Sequence, residues 1–406
     1  MSFVPFVDTL SRDLQSLIPN PQSLIPMVNH LFVCGYPSDV GGANTELWHS
    51  VKLWRRFGLG VTLIPTWQAD PKWKARLETI GCRTVEVQVA GEGTSTSSVE
   101  SRTAEAGGRT AATAGTLGAA STLPSLEAVP GLAGGVLVAM CNTKFLAVAE
   151  RFRRLGCKII WLGCMNWLFP AERLHYRAHG LFDRHVFQSR YQHDQLVPQL
   201  RKFGYEEDRG RIIRGAFDAT EFPFRPMSHA PGEIFTIGRI SRAAADKFSP
   251  RTWAIYARVP HPIRARLLGW GDGVCARLGK PPRWADCLPA AAQTSQEFLA
   301  TLAALVHAGG EAAENWPRVG LEALAAGVPV VADNCGGWRE MIRHGQTGYL
   351  CDSDDQFAYY TARLAYDEPH RLHIARQARA ALENELADPT AIWAAWRELL
   401  GGIEIE

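Results

Sequence analysis

The stretch AENWPRVGLEALAAGVPVVADNCGG, residues 313–337, places Glu314 and Glu322 either side of a proline and just ahead of an alanine-rich run. Upstream, LAALVHAGG reads as a buried parallel strand, apolar throughout and closed by Gly309 and Gly310. Pro317 suits the first helical position, where its missing N–H has no cost. Gly327 suits the position just past the helix, and residues 328–332 read as the next strand. Glu314 therefore falls in the loop at the carboxyl end of a strand, where open α/β sheets take ligands. The helix that follows points free N–H groups and the positive end of its dipole into the same crevice. Glu322 lies about five residues into that helix, roughly 8 Å along it.

Such a layout suits a nucleotide-sugar. Its diphosphate would rest over the helix N-terminus, while one carboxylate accepts hydroxyls of the sugar and the other those of the ribose. An ionised carboxylate only accepts hydrogen bonds, and each can receive two hydroxyls. The plain alternative for two glutamates at this spacing is a solvated helix face.

Working outward, the chain alternates strand and helix. HLFVCG, GVTLIPT and TVEVQV read as strands, with a helix over residues 45–57 after the first. GVLVAMCN, CKIIWLG, RHVFQS and GRIIRGAF continue the series, with helices KFLAVAERFRRLG and YQHDQLVPQLRKFG between them. DATEFPFRPMSHAPGE reads as a linker, and a second α/β series runs from IFTIGRI through ARLLGWG to VPVVADN. The expectation is an α/β protein of two Rossmann-like domains with parallel sheets across a cleft. Residues 1–26, with the echo LQSLIPN and PQSLIP, read as an extended leader. Domain boundaries then fall at 27–217 and 218–385, and residues 386–406 form a terminal helix. Residues 91–123, rich in Ser, Thr, Gly and Ala, read as a flexible insertion; a loop closing on an acceptor is the bolder reading.

The 406 residues carry a net charge of +2, so global charge argues for neither nucleic acid nor an acidic partner. Nine cysteines are scattered without C-x-x-C spacing. This implies a reducing compartment, no disulfide framework and no zinc site. No apolar run reaches 18 residues and the N-terminus lacks a signal-peptide pattern, so the expected location is cytoplasmic.

Residues 314–352, ENWPRVGLEALAAGVPVVADNCGGWREMIRHGQTGYLCD, closely resemble the donor-site signature of GT-B glycosyltransferases, the retaining family 4 in particular. The pattern there is Glu, seven residues, Glu, an alanine-rich turn, GVPVVA, a Gly-Gly pair, a Glu and G-x-x-G-[YF]-L. The resemblance extends to IFTIGRIS…DKF, residues 234–248, whose Gly238, Arg239 and Lys247 look like that family's GR…K group. It implies transfer of a sugar from a nucleoside-diphosphate sugar, with UDP-glucose or a similar UDP-hexose the first choice, to a hydroxyl of a glycan, lipid-linked or small-molecule acceptor. Configuration would be retained, with the departing phosphate oxygen taking the acceptor's proton.

On that reading Glu314 holds the sugar and Glu322 the ribose. Arg239 and Lys247 neutralise the leaving diphosphate, and the amides around Trp316, Pro317, Arg318 and Val319, with neighbouring Asn315, line the donor pocket. Gly41 and Gly42 in SDVGGANTE match the family's glycine pair after the first strand; a plain strand-to-helix turn is the alternative. Many family members place a histidine after a mid-domain strand. IIWLGCMNWLFPAE has none, and Asn166 is the candidate in its place, against a packing role. His175, His179 and His193 look like exposed helix positions. DSDD at residues 352–355 is read as a helix N-cap rather than a metal-diphosphate site, so no metal and no cofactor is expected beyond the nucleotide-sugar co-substrate. The G-x-G-x-G of residues 269–273 lies at the second strand of its domain, which argues against a nicotinamide site. The last helix, DPTAIWAAWRELL, would cross back to the N-terminal domain. Two alternatives of other kinds stay open: a silent nucleotide-sugar-binding scaffold or sensor, and peripheral membrane attachment through the basic helices ELWHSVKLWRRF and KFLAVAERFRRL.

Overall fold

The computed structural model describes residues 28–35, 42–66, 70–87, 123–140, 143–230, 232–311 and 313–403. The leader, Gly41 and residues 91–122 of the insertion lie outside them.

Two parallel sheets organise the chain. The first contains β1 (His30–Gly35), β2 (Gly60–Pro65), β3 (Cys82–Thr84), β4 (Val136–Met140), β5 (Lys158–Leu162), β6 (Arg184–Phe187) and β7 (Gly210–Ile212). The second contains β8 (Phe235–Ile240), β9 (Ile263–Leu268), β10 (Ala285–Leu288), β11 (Ala304–His307), β12 (Val330–Asp333) and β13 (Tyr349–Cys351). The strand orders are β3-β2-β1-β4-β5-β6-β7 and β10-β9-β8-β11-β12-β13. Each sheet therefore reverses direction once, between β1 and β4 in the first and between β8 and β11 in the second. These reversals open the crevices in which doubly wound sheets take ligands. The expectation of two Rossmann-like halves is met.

Both sheets are buried on both faces, which is why their central strands read as unbroken apolar runs. β4 is buried at all five positions and β11 at all four. TVEVQV falls short of the expectation: its strand ends at Thr84. The strand β10, with the sequence ADCL, had no apolar run to reveal it. It is an edge strand, half-buried throughout, and its Asp286 is paired with Arg264 at 2.6 Å. KFLAVAERFRRLG divides into a tight turn, Thr143–Ala147, and a short helix, Ala149–Arg154.

The chain crosses between domains twice. In the first crossing Phe217 and Phe222 pack into the core of the second domain. The first-domain helix Gly42–Arg56 grips the same segment: Trp48 Nε1 donates to Glu221 at 2.7 Å, and Lys52 pairs with Asp218 and Glu221. In the second crossing the helix Pro389–Gly401 returns to the first domain. There Trp396 meets Trp54 edge-on at 5.1 Å and Trp393 stacks on Phe57 at 5.2 Å. Among the described residues no helix is long and apolar enough to cross a membrane. Cys164 departs from the expectation of free thiols: it is disulfide-bonded.

Candidate active site

The two switch-point crevices face each other, and the opening stretch fills the gap between them. The helix Arg318–Ala326 begins after Pro317, which holds the N-cap position rather than the first helical one, and ends on Gly327 in the left-handed region at φ 83°. First-turn amides such as those of Arg318 and Val319 have no acceptor within the helix. At the other end Arg379 Nη1 donates to the carbonyl of Ala325 at 2.7 Å, a cation where the helix dipole is negative.

Glu314 sits in the loop before this helix, half-buried, with Lys247 Nζ donating to its Oε1 at 3.1 Å. The two residues that the sequence assigned to opposite ends of a donor's reactive bond are thus in direct contact. The loop is held from below by glycines. Gly337 N donates to the carbonyl of Glu314 at 2.8 Å, and a Cβ on Gly337 would fall on the carbonyl oxygen of Asn315. Gly310 is needed for the same reason against the carbonyl of Asp246, beside Lys247.

Arg239 takes a different part from the one expected. Its side chain is fully buried, donating to the carbonyls of Ala308 and Lys247 and lying over the Phe248 ring at 4.8 Å. It does not present its charge to the crevice; it braces the backbone that presents Lys247. Burial pulls its pKa down, opposed by the charges of Tyr256, Glu314 and Asp333. Gly238 is likewise a packing position, since a Cβ there would strike the Leu302 side chain.

Glu322 is buried, and burial raises its pKa from 4.5 to about 7 against the opposing charge of Arg318 and a hydrogen bond from Ser295. The folded state then holds a proton on Glu322 that the unfolded chain has released, so between pH 4.5 and 7 this group lowers stability as pH rises. We expect Glu322→Gln to remove a destabilisation on the order of 3 kcal/mol between those limits. Urea midpoints of variant and parent at pH 5 and pH 7.5 check this, with the gap between them widening at the higher pH. Comparing variant with parent cancels the buried histidines, which act with the opposite sign. Burial pushes His185 down to about 3 and His175 down to about 4, and their contribution is lost as pH falls below 6.5. His175 is thus a core residue, not the exposed position expected.

From the first domain, several groups converge on the same loop. Asn166 Nδ2 donates to the carbonyl of Ala313 at 3.0 Å. Ser189 Oγ donates to Asn315 Oδ1 at 2.5 Å, and Asn315 Nδ2 donates to Gln188 Oε1 at 3.2 Å and to the carbonyl of Cys164 at 3.3 Å. Asn315, expected to line the donor pocket, instead ties the loop to the other domain. Trp316 is buried beneath the loop. Arg318 Nη1 donates to Glu46 Oε2 at 2.8 Å and to the carbonyl of Ala216 at 2.7 Å. Gly42 lies against this side chain, its Cβ position 3.1 Å from Arg318 Cγ. Glu340 accepts from the backbone N–H of Arg190 at 3.0 Å and of Tyr191 at 2.7 Å, capping the helix Arg190–Leu200 across the interface.

Sequence reading missed Glu46, Gln188, Ser189, Asp333 and His307. Asp333 accepts from Gly309 N, and His307 ends β11 beside Trp338 at 5.0 Å. All but Glu46 sit at the carboxyl end of a strand or directly after it, so strand order alone could have nominated those four. DSDD caps a helix: Ser353 accepts from Gln356 N, Asp354 pairs with Arg251 and Asp355 with Arg258. Among the described residues no group of three His, Cys, Asp or Glu side chains is arranged to hold a metal.

Residues 293–381 match the family model described as Glycosyl transferases group 1. A glycogen synthase of Mycobacterium tuberculosis is 29% identical over 196 residues, 44% of this chain and 44% of that protein. The chain thus aligns with less than half the length of that relative. The N-acetyl-alpha-D-glucosaminyl L-malate synthase of Bacillus anthracis is 38% identical over 71 residues, 17% of this chain and 19% of that one. Among solved structures, Anabaena HepE in complex with UDP-glucose superposes with a TM-score of 0.67 at 18% identity, covering 92% of this chain and 100% of that one. The two facing parallel sheets are therefore those of a GT-B fold, and within its second domain residues 293–381 are similar to the group 1 glycosyl transferases.

Proposed function

We propose that the protein is a retaining glycosyltransferase that moves a hexose from a UDP-sugar to a hydroxyl acceptor. The observation that carries this is the Lys247–Glu314 contact at 3.1 Å, placed in the loop that leads into the Arg318–Ala326 helix. Binding exchanges that ion pair for the donor. Lys247 turns to the diphosphate, where negative charge accumulates as the glycosidic bond breaks, and Glu314 accepts hydroxyls of the sugar. The diphosphate rests on the helix N-terminus. Glu322, one turn further along and close to its own pKa at neutral pH, accepts from the ribose once ionised.

Arg239 supports the reaction indirectly, by fixing the backbone of Lys247. The acceptor attacks on the face the diphosphate leaves, and the leaving phosphate oxygen takes its proton, so no side-chain base is assigned. Lys247 and the helix dipole serve the charge that a metal serves elsewhere. UDP is favoured because HepE was solved with UDP-glucose.

Thermal unfolding with UDP-, GDP- and ADP-sugars tests the reading. A midpoint raised by the UDP-sugar most, followed by its turnover in EDTA at the metal-free rate, is the expected result. Turnover abolished by EDTA and restored by a divalent metal contradicts the metal-free chemistry. Donor binding without transfer to any acceptor mixture favours the scaffold instead.

A further inference from the structure

We infer that Glu46, in the first domain, is a positioning residue for the donor site of the second, acting through Arg318. The inference rests on the glycosyl-transfer reading and adds a residue from the opposite wall of the cleft.

Arg318 is the first residue of the helix whose N-terminus meets the diphosphate. Its side chain is 8% exposed and that of Glu46 2%. All its hydrogen bonding runs through Nη1, to Glu46 and to the carbonyl of Ala216, while Nε and Nη2 are buried without a partner. A buried ion pair with unmet donors is a poor device for stability, because the desolvation of both charges is only partly recovered. What it secures is placement. The backbone leaves room on both sides: Gly42 lies against the Arg318 stem, and a Cβ on Gly215 would overlap the Glu46 carboxylate. The Phe217 ring covers the guanidinium at 5.3 Å, and Ser50 Oγ donates to the second Glu46 oxygen at 3.2 Å. Glu46 is itself fixed, and it fixes Arg318.

Two consequences follow for the donor. The first turn of the Arg318–Ala326 helix is registered against the first domain, so its amides stand where the opposite wall of the cleft dictates. Arg318 also faces Glu322 four residues on along the same helix, and its charge acts on that carboxylate. Glu46 sets how Arg318 is divided between the two glutamates. Asn315, held by Ser189 and Gln188, registers the same loop from its other end. Donor affinity and domain apposition are then one equilibrium.

Calorimetric titration of the full chain with UDP, GDP and ADP tests this. For whichever diphosphate the parent binds, Glu46→Gln is expected to weaken affinity about tenfold, and Arg318→Gln similarly. The double variant should be no weaker than Arg318→Gln alone, since the two act as one unit. Unfolding of the ligand-free variants reports the fold. Should Glu46→Gln fail to fold, Glu46→Asp keeps the charge and withdraws it by one methylene, and a weakened affinity is again expected. Parental affinity in Glu46→Gln or Glu46→Asp overturns the inference, as do losses that multiply in the double variant. A parent that binds none of the three diphosphates overturns the glycosyl-transfer reading and this one with it.

Discussion

Glu314→Gln is expected to lower sugar transfer by about 100-fold or more, the usual cost of removing one group that acts on charge or hydroxyls at the reacting centre. The amide keeps the shape of the carboxylate but loses its charge, and with it the strength of hydrogen bonds accepted from sugar hydroxyls. The fold should survive. Glu314 and Lys247 are 23% and 18% exposed, so their pair stabilises the native state by no more than about 1 kcal/mol. A melting temperature within a few degrees of the parent, together with the lost turnover, is the expected signature. Transfer at the parental rate in a folded variant would remove Glu314 from the chemistry.

The second large effect comes from a glycine. Gly337 has φ −66°, a conformation open to any residue, so Gly337→Ala carries no backbone strain of its own. The added Cβ, however, would overlap the carbonyl of Asn315, and backbone cannot rotate away as a side chain can. The donor loop must move. Overpacking of this kind costs about 1–3 kcal/mol, and a displacement near 1 Å at a reacting centre can cost about 100-fold in rate. Activity should therefore fall much further than stability. Gly273→Ala is the control. Its Cβ would stand 3.9 Å from that of Ala245, within the helix Asp272–Leu278, where alanine is favoured by up to about 1 kcal/mol. Equal losses in the two variants would contradict the steric account.

Much of this architecture was legible in the sequence because parallel strands buried on both faces declare themselves as apolar runs. β1, β4, β5, β8 and β12 all read directly. What stayed hidden was β10, half-buried at a sheet edge, and β13, buried but only three residues long. The donor loop was legible as a spacing of glutamates, a proline and glycines, since each answers a local demand of the backbone.

The roles of Arg239, Asn315 and Arg318 were not legible, because a sequence shows that a residue is near the site but not which way its polar atoms point. Arg239 turns inward to carbonyls and Asn315 turns across the interface. Glu46 had no signal at all. Its meaning comes from Arg318, 272 positions away in the chain. Gly42, by contrast, was singled out, and the reason the structure supplies is room for the Arg318 stem.

In the proposed reading one donor lies between Glu314 and Glu322 with its phosphates on the helix N-terminus. A crystal structure of the protein with UDP-glucose tests it most directly. The diphosphate is expected against the amides of Arg318 and Val319 with Lys247 Nζ turned from Glu314 to a phosphate oxygen, sugar hydroxyls on Glu314, and ribose hydroxyls on Glu322. A donor bound elsewhere, or bound there while Lys247 and Glu314 keep their pairing and Glu322 touches no ribose, would contradict it.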